Sequence, residues 1–275
     1  MITAVNNGRM KKLVQLNQKA KVRKETDTFV AEGRKMFLEA PVSKIREVYI
    51  SESFLSMSER AAEAGKAEQV MWISLREKLK QCGYEIVSDE VFQKISDTRT
   101  PQGILCVVEQ FHYSLDKLLE EERQLWVLLE DLQDPGNLGT IMRTGEGAGI
   151  TGVILTKESV DLYNPKTIRA TMGSIYRVPF LYVDSIEQAV QKLQGEGVLV
   201  YAAHLEESRD YDTFDFTKKT AFLIGNEGNG LKRKTADLAD AYLKIPMLGR
   251  VESLNAAVAT SILMYEASRQ RRTGV

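Results

Sequence analysis

The chain is 275 residues long and 43% hydrophobic, enough to bury a full core and of a length that favours two modest domains over one large one. Cys82 and Cys106 lie far apart without C-x-x-C spacing, and His112 and His204 form no H-E-x-x-H pattern, so neither a disulfide framework nor a metal is expected. The opening MITAVNNGRMKK has no apolar stretch after its charges, and no apolar run approaches the roughly 18 residues of a membrane span, which predicts a cytoplasmic protein with no membrane segment.

Net charge is -1, but the charges are unevenly placed. Arg9, Lys11, Lys12, Lys19, Lys21, Arg23 and Lys24 give residues 1–24 a charge of +7 and leave -8 on the remainder. Such a basic N-terminal arm suits phosphate contacts, although a solvated terminal helix has the same composition. Residues 25–112 read as a small α/β domain: a helix around 34–40, a strand at 45–50, helices near 59 and 75, and a closing strand at 103–109 launched by the T-P-Q-G turn at 100–103. The polar stretch 113–124, with Glu120, Glu121 and Glu122, reads as a linker.

Residues 125–275 alternate apolar β-type runs with helical patterns. The runs are WVLLE (126–130), VILT (153–156), VPFLYV (178–183), VLVYAA (198–203), AFLIG (221–225) and AYLKIP (241–246). This alternation predicts a mostly parallel sheet with helices on both faces. Asn164-Pro165 reads as a cap with proline at the first helical position, Asp184 with Glu187 as a capping box, and Gly195 as a stop. A last helix is expected from about Ser253, with Leu254, Ala257, Val258, Ser261, Ile262 and Tyr265 at helical spacing.

A G-x-G-x-x-G pattern stands at 147–152, which would suggest a nicotinamide enzyme. Its glycines close a helical pattern and lead into VILT, so it reads as a loop and not as a dinucleotide site, whose glycines follow a strand and open a helix. Neither a G-x-x-x-x-G-K-[ST] loop nor a G-x-S-x-G elbow is present.

Three other segments fall just after predicted strand ends, where open α/β sheets hold their ligands. They are DLQDPGNLGTIMRT (131–144), GNEGNGL (225–231) and IPMLGRVESLNAAVA (245–259). In the first, Asn137 would cap a helix that carries Arg143. In the second, Gly225 allows close backbone approach and Glu227 supplies one charge. In the third, Ser253 would cap a helix with free first-turn amides. Each segment alone has a plain reading as a cap, a surface cation or a turn.

Together and in this order the three resemble the signature motifs of the SpoU (TrmH) family of RNA ribose methyltransferases, within the SPOUT class, over about residues 125–270. The N-terminal half resembles that family's substrate-binding domain, an L30e-like α/β sandwich, in FVAEG (29–33) and ISDTRTPQGILCVV (95–108). The resemblance implies an α/β fold whose C-terminal parallel-sheet domain contains a deep trefoil knot, joined to the smaller N-terminal domain. It also implies a homodimer. S-adenosylmethionine is the implied cofactor, held by Gly225, Asn226, Ile245, Leu248, Ser253, Leu254 and Asn255.

The catalytic set implied is Arg143 at the ribose 2′-hydroxyl, with Asn137, Glu227, Ser253 and Asn255 around it. Arginine gives up a proton reluctantly, so Arg143 serves equally as a base, a stabiliser of the forming alkoxide or a phosphate clamp. Lys11, Lys12, Lys19, Lys21, Arg23, Lys24 and Arg143 are then the candidate RNA-binding residues. The expected substrate is 23S ribosomal RNA. The alternatives are a transfer-RNA 2′-O-methyltransferase and a non-catalytic RNA-binding or ribosome-assembly protein.

Overall fold

A computed structural model describes residues 1–60 and 65–274, which divide into two compact units. The first comprises Met1–Phe111 with Tyr163–Tyr176, the second His112–Leu162 with Arg177–Val275. The sequence-based domains, 1–24, 25–112, 113–124 and 125–275, differ from this: the arm is part of the first unit, and so is a segment drawn from the middle of 125–275, while the expected linker and His112 belong to the second unit.

The first unit opens with α1 (Gly8–Gln18) and α2 (Ala20–Thr26), then β1 (Thr28–Glu32), α3 (Arg34–Glu39), β2 (Ile45–Ser51), α4 (Glu52–Arg60), α5 (Lys66–Cys82), β3 (Glu85–Val87), α6 (Asp89–Ile95) and β4 (Ile104–Glu109). The strands form a four-stranded sheet ordered β1-β4-β2-β3, antiparallel except for β2 with β3. Asn7 caps α1 by accepting from the Arg9 amide. Met10, Leu13 and Leu16 are buried at helical spacing and pack with Val30, Tyr49, Val91, Phe92 and Leu105. This stripe is why the arm folds onto the domain: α1 is a core helix, and the cations of the arm are divided between α1, α2 and the residue joining them. After α6, the Glu32 carboxylate accepts from the Ser96 and Thr98 hydroxyls, both at 2.8 Å, and from the Asp97 amide at 3.2 Å, which fixes the start of the SDTRTPQ loop.

The second unit begins with α7 (Leu115–Leu118), β5 (Leu125–Leu129), α8 (Pro135–Ala148) and β6 (Gly152–Thr156). The helix α9 (Pro165–Thr171) follows in the chain but belongs to the first unit, where it packs on β1. The second unit continues with β7 (Phe180–Val183), α10 (Ile186–Gly195), β8 (Leu199–Ala203), β9 (Arg209–Asp210), β10 (Thr220–Ile224), α11 (Arg233–Ala236), β11 (Ala241–Lys244) and α12 (Ala256–Thr273). Its sheet has seven strands, ordered β7-β6-β5-β10-β8-β11-β9, all paired in parallel. Every residue of β5, β6 and β10 is buried, as a parallel sheet covered on both faces requires. Trp126, Leu128, Ile154, Ala221 and Leu223 meet Ile186, Ala189, Val190 and Leu193 of α10, while α12 packs along α8 and touches β5 and β10.

The six apolar runs all become strands, and Asn164 caps α9 with Pro165 at its first position. Other boundaries moved. Asp134 caps α8 by accepting from the Asn137 amide, so Asn137 lies inside the first turn. Ser185, not Asp184, caps α10. Asn255 caps α12 by accepting from the Ala257 and Val258 amides, and Ser253 lies before the helix. Gly149 ends α8 in a left-handed cap and Gly152 opens β6, so the 147–152 glycines face no helix start and the nicotinamide reading is dropped.

Arg23 also departs from expectation. It is 4% exposed, and its guanidinium donates to the Leu16 carbonyl at 2.6 Å and the Asn17 carbonyl at 3.2 Å. These are end carbonyls of α1, short of intrahelical partners and at the negative pole of the helix, which explains why a cation is held there. Lys11, Lys12, Lys19, Lys21 and Lys24 are exposed. We expect Arg23→Ala to cost about 1.5–3 kcal/mol in urea unfolding, because buried carbonyls lose charged donors. Lys11→Ala and Lys12→Ala should stay within about 0.5 kcal/mol of the parent.

Candidate active site

The three motif segments converge at the C-terminal ends of β5, β10 and β11. From the end of β5 the chain turns through Asp131, which has a left-handed backbone with φ 53°, and enters α8 behind the Asp134 cap. The loop after β10 presents Glu227 to this turn. Its carboxylate accepts from the Gln133 amide at 3.1 Å, the Asp134 amide at 2.9 Å and the Asn137 side-chain amide at 3.0 Å. The Asn137 side-chain oxygen accepts in turn from Asn255 Nδ2 at 2.9 Å. One hydrogen-bonded chain, Glu227 to Asn137 to Asn255, therefore links the first turn of α8, the loop after β10 and the cap of α12.

The loop itself is tightly closed. A Cβ on Gly225 would lie 2.1 Å from the backbone of Gly230 and Leu231, so no side chain fits there. Asn226 and Gly230 exchange backbone hydrogen bonds at 3.1 and 2.9 Å. The Asn226 side chain accepts from the Gly228 and Asn229 amides and donates to the Asp131 carbonyl at 2.8 Å. At the far end of the loop the buried Glu130 carboxylate accepts from the Lys232 amide at 2.9 Å and the Thr235 hydroxyl at 2.6 Å. Gly225 is thus glycine because of loop closure, and Asn226 is the brace that fastens the loop to β5.

Arg143 lies six residues beyond Asn137 on α8, about 9 Å along the axis. It is exposed, and among the described residues none accepts a hydrogen bond or forms an ion pair with its guanidinium. Ser253 and Leu248 are exposed, while Ile245 and Leu254 are half-buried. The structure joins Glu227 and Asn255 through Asn137 and, among the described residues, gives Ser253 and Leu248 no such link. Sequence reading missed Glu130, Asp131, Lys232 and Thr235, which carry the loop. Strand order, which a single sequence does not display, was the signal needed to bring the ends of β5 and β10 together.

Burial pushes the Glu227 carboxyl up, but the hydrogen bonds from Asn137, Asp134 and Gln133 outweigh it and hold the group below its ordinary 4.5. A lowered folded-state value means that these bonds are fully present above the unfolded value and are lost as pH falls through the folded one. At neutral pH Glu227 is a carboxylate whose oxygens are already engaged, a poor proton acceptor and a good organiser. Asp131 is likewise held low: burial raises it, while the Lys232 ammonium and the Thr156 hydroxyl more than compensate. Burial pushes the Cys106 thiol up to about 12, which removes it as a nucleophile.

The residues present fit a cofactor that bears an uncharged purine ring. From Pro246 to Leu254 the backbone makes no backbone hydrogen bond among the described residues, so its amides and carbonyls are free to read an adenine edge. Half-buried Ile245 and Leu254 bracket that stretch with apolar surface. No group of three His, Cys, Asp or Glu among the described residues is placed to hold a metal ion.

Glu227→Gln tests the organiser directly, since glutamine offers one acceptor oxygen where two are used. We expect cofactor affinity and turnover to fall at least about tenfold, by the same factor from about pH 6 to 8. A loss confined to one end of that range would show that Glu227 titrates there.

Comparison with known proteins agrees with this geometry. The sequence profile of the SpoU rRNA methylase family matches residues 124–265, and that of the MRM3-like substrate-binding domain matches residues 7–106. The chain is 32% identical over 266 residues to the 23S rRNA (guanosine(2553)-2′-O)-methyltransferase RlmP of Bacillus subtilis, covering 96% of this chain and 97% of that protein. It superposes on the S-adenosylmethionine-bound rRNA methyltransferase of Sinorhizobium meliloti with a TM-score of 0.81 at 33% identity, over 98% of this chain and 97% of that one. The SpoU methyltransferase AviRb of Streptomyces viridochromogenes, in complex with the same cofactor, gives 0.81 at 27% identity, over 98% and 100%. With matched motifs, a matched fold and a site assembled from all three motif segments, the chain belongs to the SpoU rRNA methylase family.

Proposed function

We propose that this protein is an S-adenosylmethionine-dependent RNA methyltransferase that modifies a ribose 2′-hydroxyl of 23S ribosomal RNA in the cytoplasm, without a metal. The observation that carries this reading is the Glu227–Asn137–Asn255 chain, which ties the three motif segments into one site. Full-length similarity to a 23S rRNA 2′-O-methyltransferase supports the substrate, and the cofactor-bound relatives support the methyl donor.

When bound, S-adenosylmethionine supplies an activated methyl on a sulfonium, which leaves the protein to position the nucleophile and manage its proton. Loop 225–231, residues 245–248 and Ser253 to Asn255 would hold the cofactor. Arg143, exposed and without a partner among the described residues, grips the 2′-oxygen and its neighbouring phosphate. Asn137 and Asn255 hold α8 against α12, and Glu227 fixes both. Lys11 and Lys12 on α1, Lys21 and Lys24 on α2 and Lys19 between the two helices, all exposed, contact phosphates; Arg23, committed to α1, is not among them. The order β5-β10-β8-β11, far from chain order, supports the threaded trefoil topology of the family.

The protein works as a homodimer through its second unit. Val258 and Tyr265 are 48% and 46% exposed on α12, at helical spacing with half-buried Ile262 between them, and Val251 and Leu248 are exposed just before the helix. An apolar stripe of this kind on a helix whose other face is already buried suits a second copy of the same surface. We expect Val258→Glu to convert a dimer into a folded monomer in light scattering.

The activity is tested with transcribed 23S rRNA, labelled cofactor and mapping of ribose methylation. Label on a base, or on transfer RNA alone, would overturn the assignment. Arg143→Lys keeps the charge but loses the planar fork. We expect both Arg143→Lys and Arg143→Ala to lose about 10²–10³-fold in single-turnover rate while keeping cofactor affinity. A near-normal rate in Arg143→Ala would remove Arg143 from the catalytic set.

A further inference from the structure

Asp131 stands where β5 ends and the chain turns toward α8, and its backbone is left-handed at φ 53°. For L-residues this region is costly, and aspartate, asparagine and glycine reach it most readily. Every polar group of the residue is engaged. Its amide donates to the Thr156 hydroxyl at 2.9 Å, and that hydroxyl donates to the Asp131 carboxylate, also at 2.9 Å. The Lys232 ammonium donates to the other carboxylate oxygen at 2.6 Å. The Asp131 carbonyl accepts from Asn226 Nδ2 at 2.8 Å and Gln133 Nε2 at 2.9 Å.

These partners come from three places: the end of β6, the two flanks of the loop after β10, and the run leading to the Asp134 cap. Two of the donors to Glu227, the Gln133 and Asp134 amides, follow Asp131 by two and three residues. A right-handed turn at Asp131 would redirect its carbonyl away from Asn226 and carry both amides, with Asn137 behind them, off the Glu227 carboxylate.

We propose that Asp131 is a positioning residue for methyl transfer: its left-handed turn sets α8, and its carbonyl and carboxylate hold the loop 225–231, so that Asn137 and Glu227 meet. Its contribution is to store a strained turn that the surrounding hydrogen bonds over-determine, a pattern found at functional sites. The inference rests on the methyltransferase reading above.

The test uses full-length Asp131→Asn, Asp131→Gly and Asp131→Ala, with three readouts: cofactor affinity by calorimetry, single-turnover methyl transfer to transcribed 23S rRNA, and melting temperature. Asparagine keeps the turn and one acceptor oxygen, so affinity and rate should stay within about threefold of the parent. Glycine keeps the turn and loses the side-chain contacts, and should fall between. Alanine pays the left-handed penalty, which corresponds to about tenfold or more in population of the competent turn. Its rate or cofactor affinity should therefore lie about tenfold below that of the glycine variant. A residue serving only fold stability would lower melting without moving affinity or rate in the folded protein, and that outcome overturns the proposal. So does an alanine variant with parental affinity and rate, or an asparagine or glycine variant as impaired as alanine. Failure of the parent protein to bind S-adenosylmethionine would instead overturn the functional reading, so the two failures are separable.

Discussion

A carboxylate that accepts from two backbone amides and one side-chain amide fixes more than its own position. Glu227 does this, and each donor belongs to the turn that begins α8. Because the donors are amides of a helix start, where backbone N–H groups lack intrahelical partners, an anion there also meets the positive pole of the helix. The Asn137 side chain then passes the constraint on: one end is held by Glu227, the other by Asn255, which in turn caps α12 with its own oxygen. Two asparagines and one glutamate thus set the relation of three backbone segments with hydrogen bonds whose donors and acceptors are all assigned.

The sheet makes this economy possible. β10 lies between β5 and β8, and β11 lies beyond β8, so the loops leaving β5, β10 and β11 emerge on one edge of the sheet although 90 or more residues separate the first two. Packing enforces the arrangement. Three strands with every residue buried hold their register through side-chain packing on both faces, and α12 packs along α8. Rigid strands and a rigid helix pair carry a site built mostly from loops.

Much of this was legible in the sequence because it depended on local pattern. Apolar runs of four to six residues between helical stretches mark buried parallel strands, and all six became strands. The motif residues Asn137, Glu227 and Asn255 were identified together, by resemblance, before any geometry connected them. The parts that were misread depend on choices among neighbours that pattern does not rank. At the start of α8, Asp134 and Asn137 are both good capping types, and the winner was the one preceding Pro135, whose fixed φ favours the first helical position. At α12 the choice lay between Ser253 and Asn255. The arm was read as free because its charge is conspicuous, whereas the stripe Met10, Leu13, Leu16 that docks it is short and interleaved with lysines. Strand order, and with it the meeting of the loops after β5 and β10, is not encoded locally at all.

The distribution of paired and unpaired charge follows from the same logic. Around the site, Asp131 is matched to Lys232, Glu130 to the Lys232 amide and the Thr235 hydroxyl, and Glu227 to its three amides. These groups are spent on structure, and each is an anion that would repel an RNA backbone if left bare. Arg143 is treated in the opposite way. It sits on α8, the helix whose start is most firmly fixed, and among the described residues it has no acid to answer it. A guanidinium held by a rigid helix and unpaired in the protein is preorganised for an anion from outside, because binding then breaks no internal ion pair and costs little rearrangement. The neutralised carboxylates and the exposed arginine are two halves of one electrostatic arrangement: among the described residues the anions around Glu227 and Asp131 are answered from within the protein, and the Arg143 guanidinium is not.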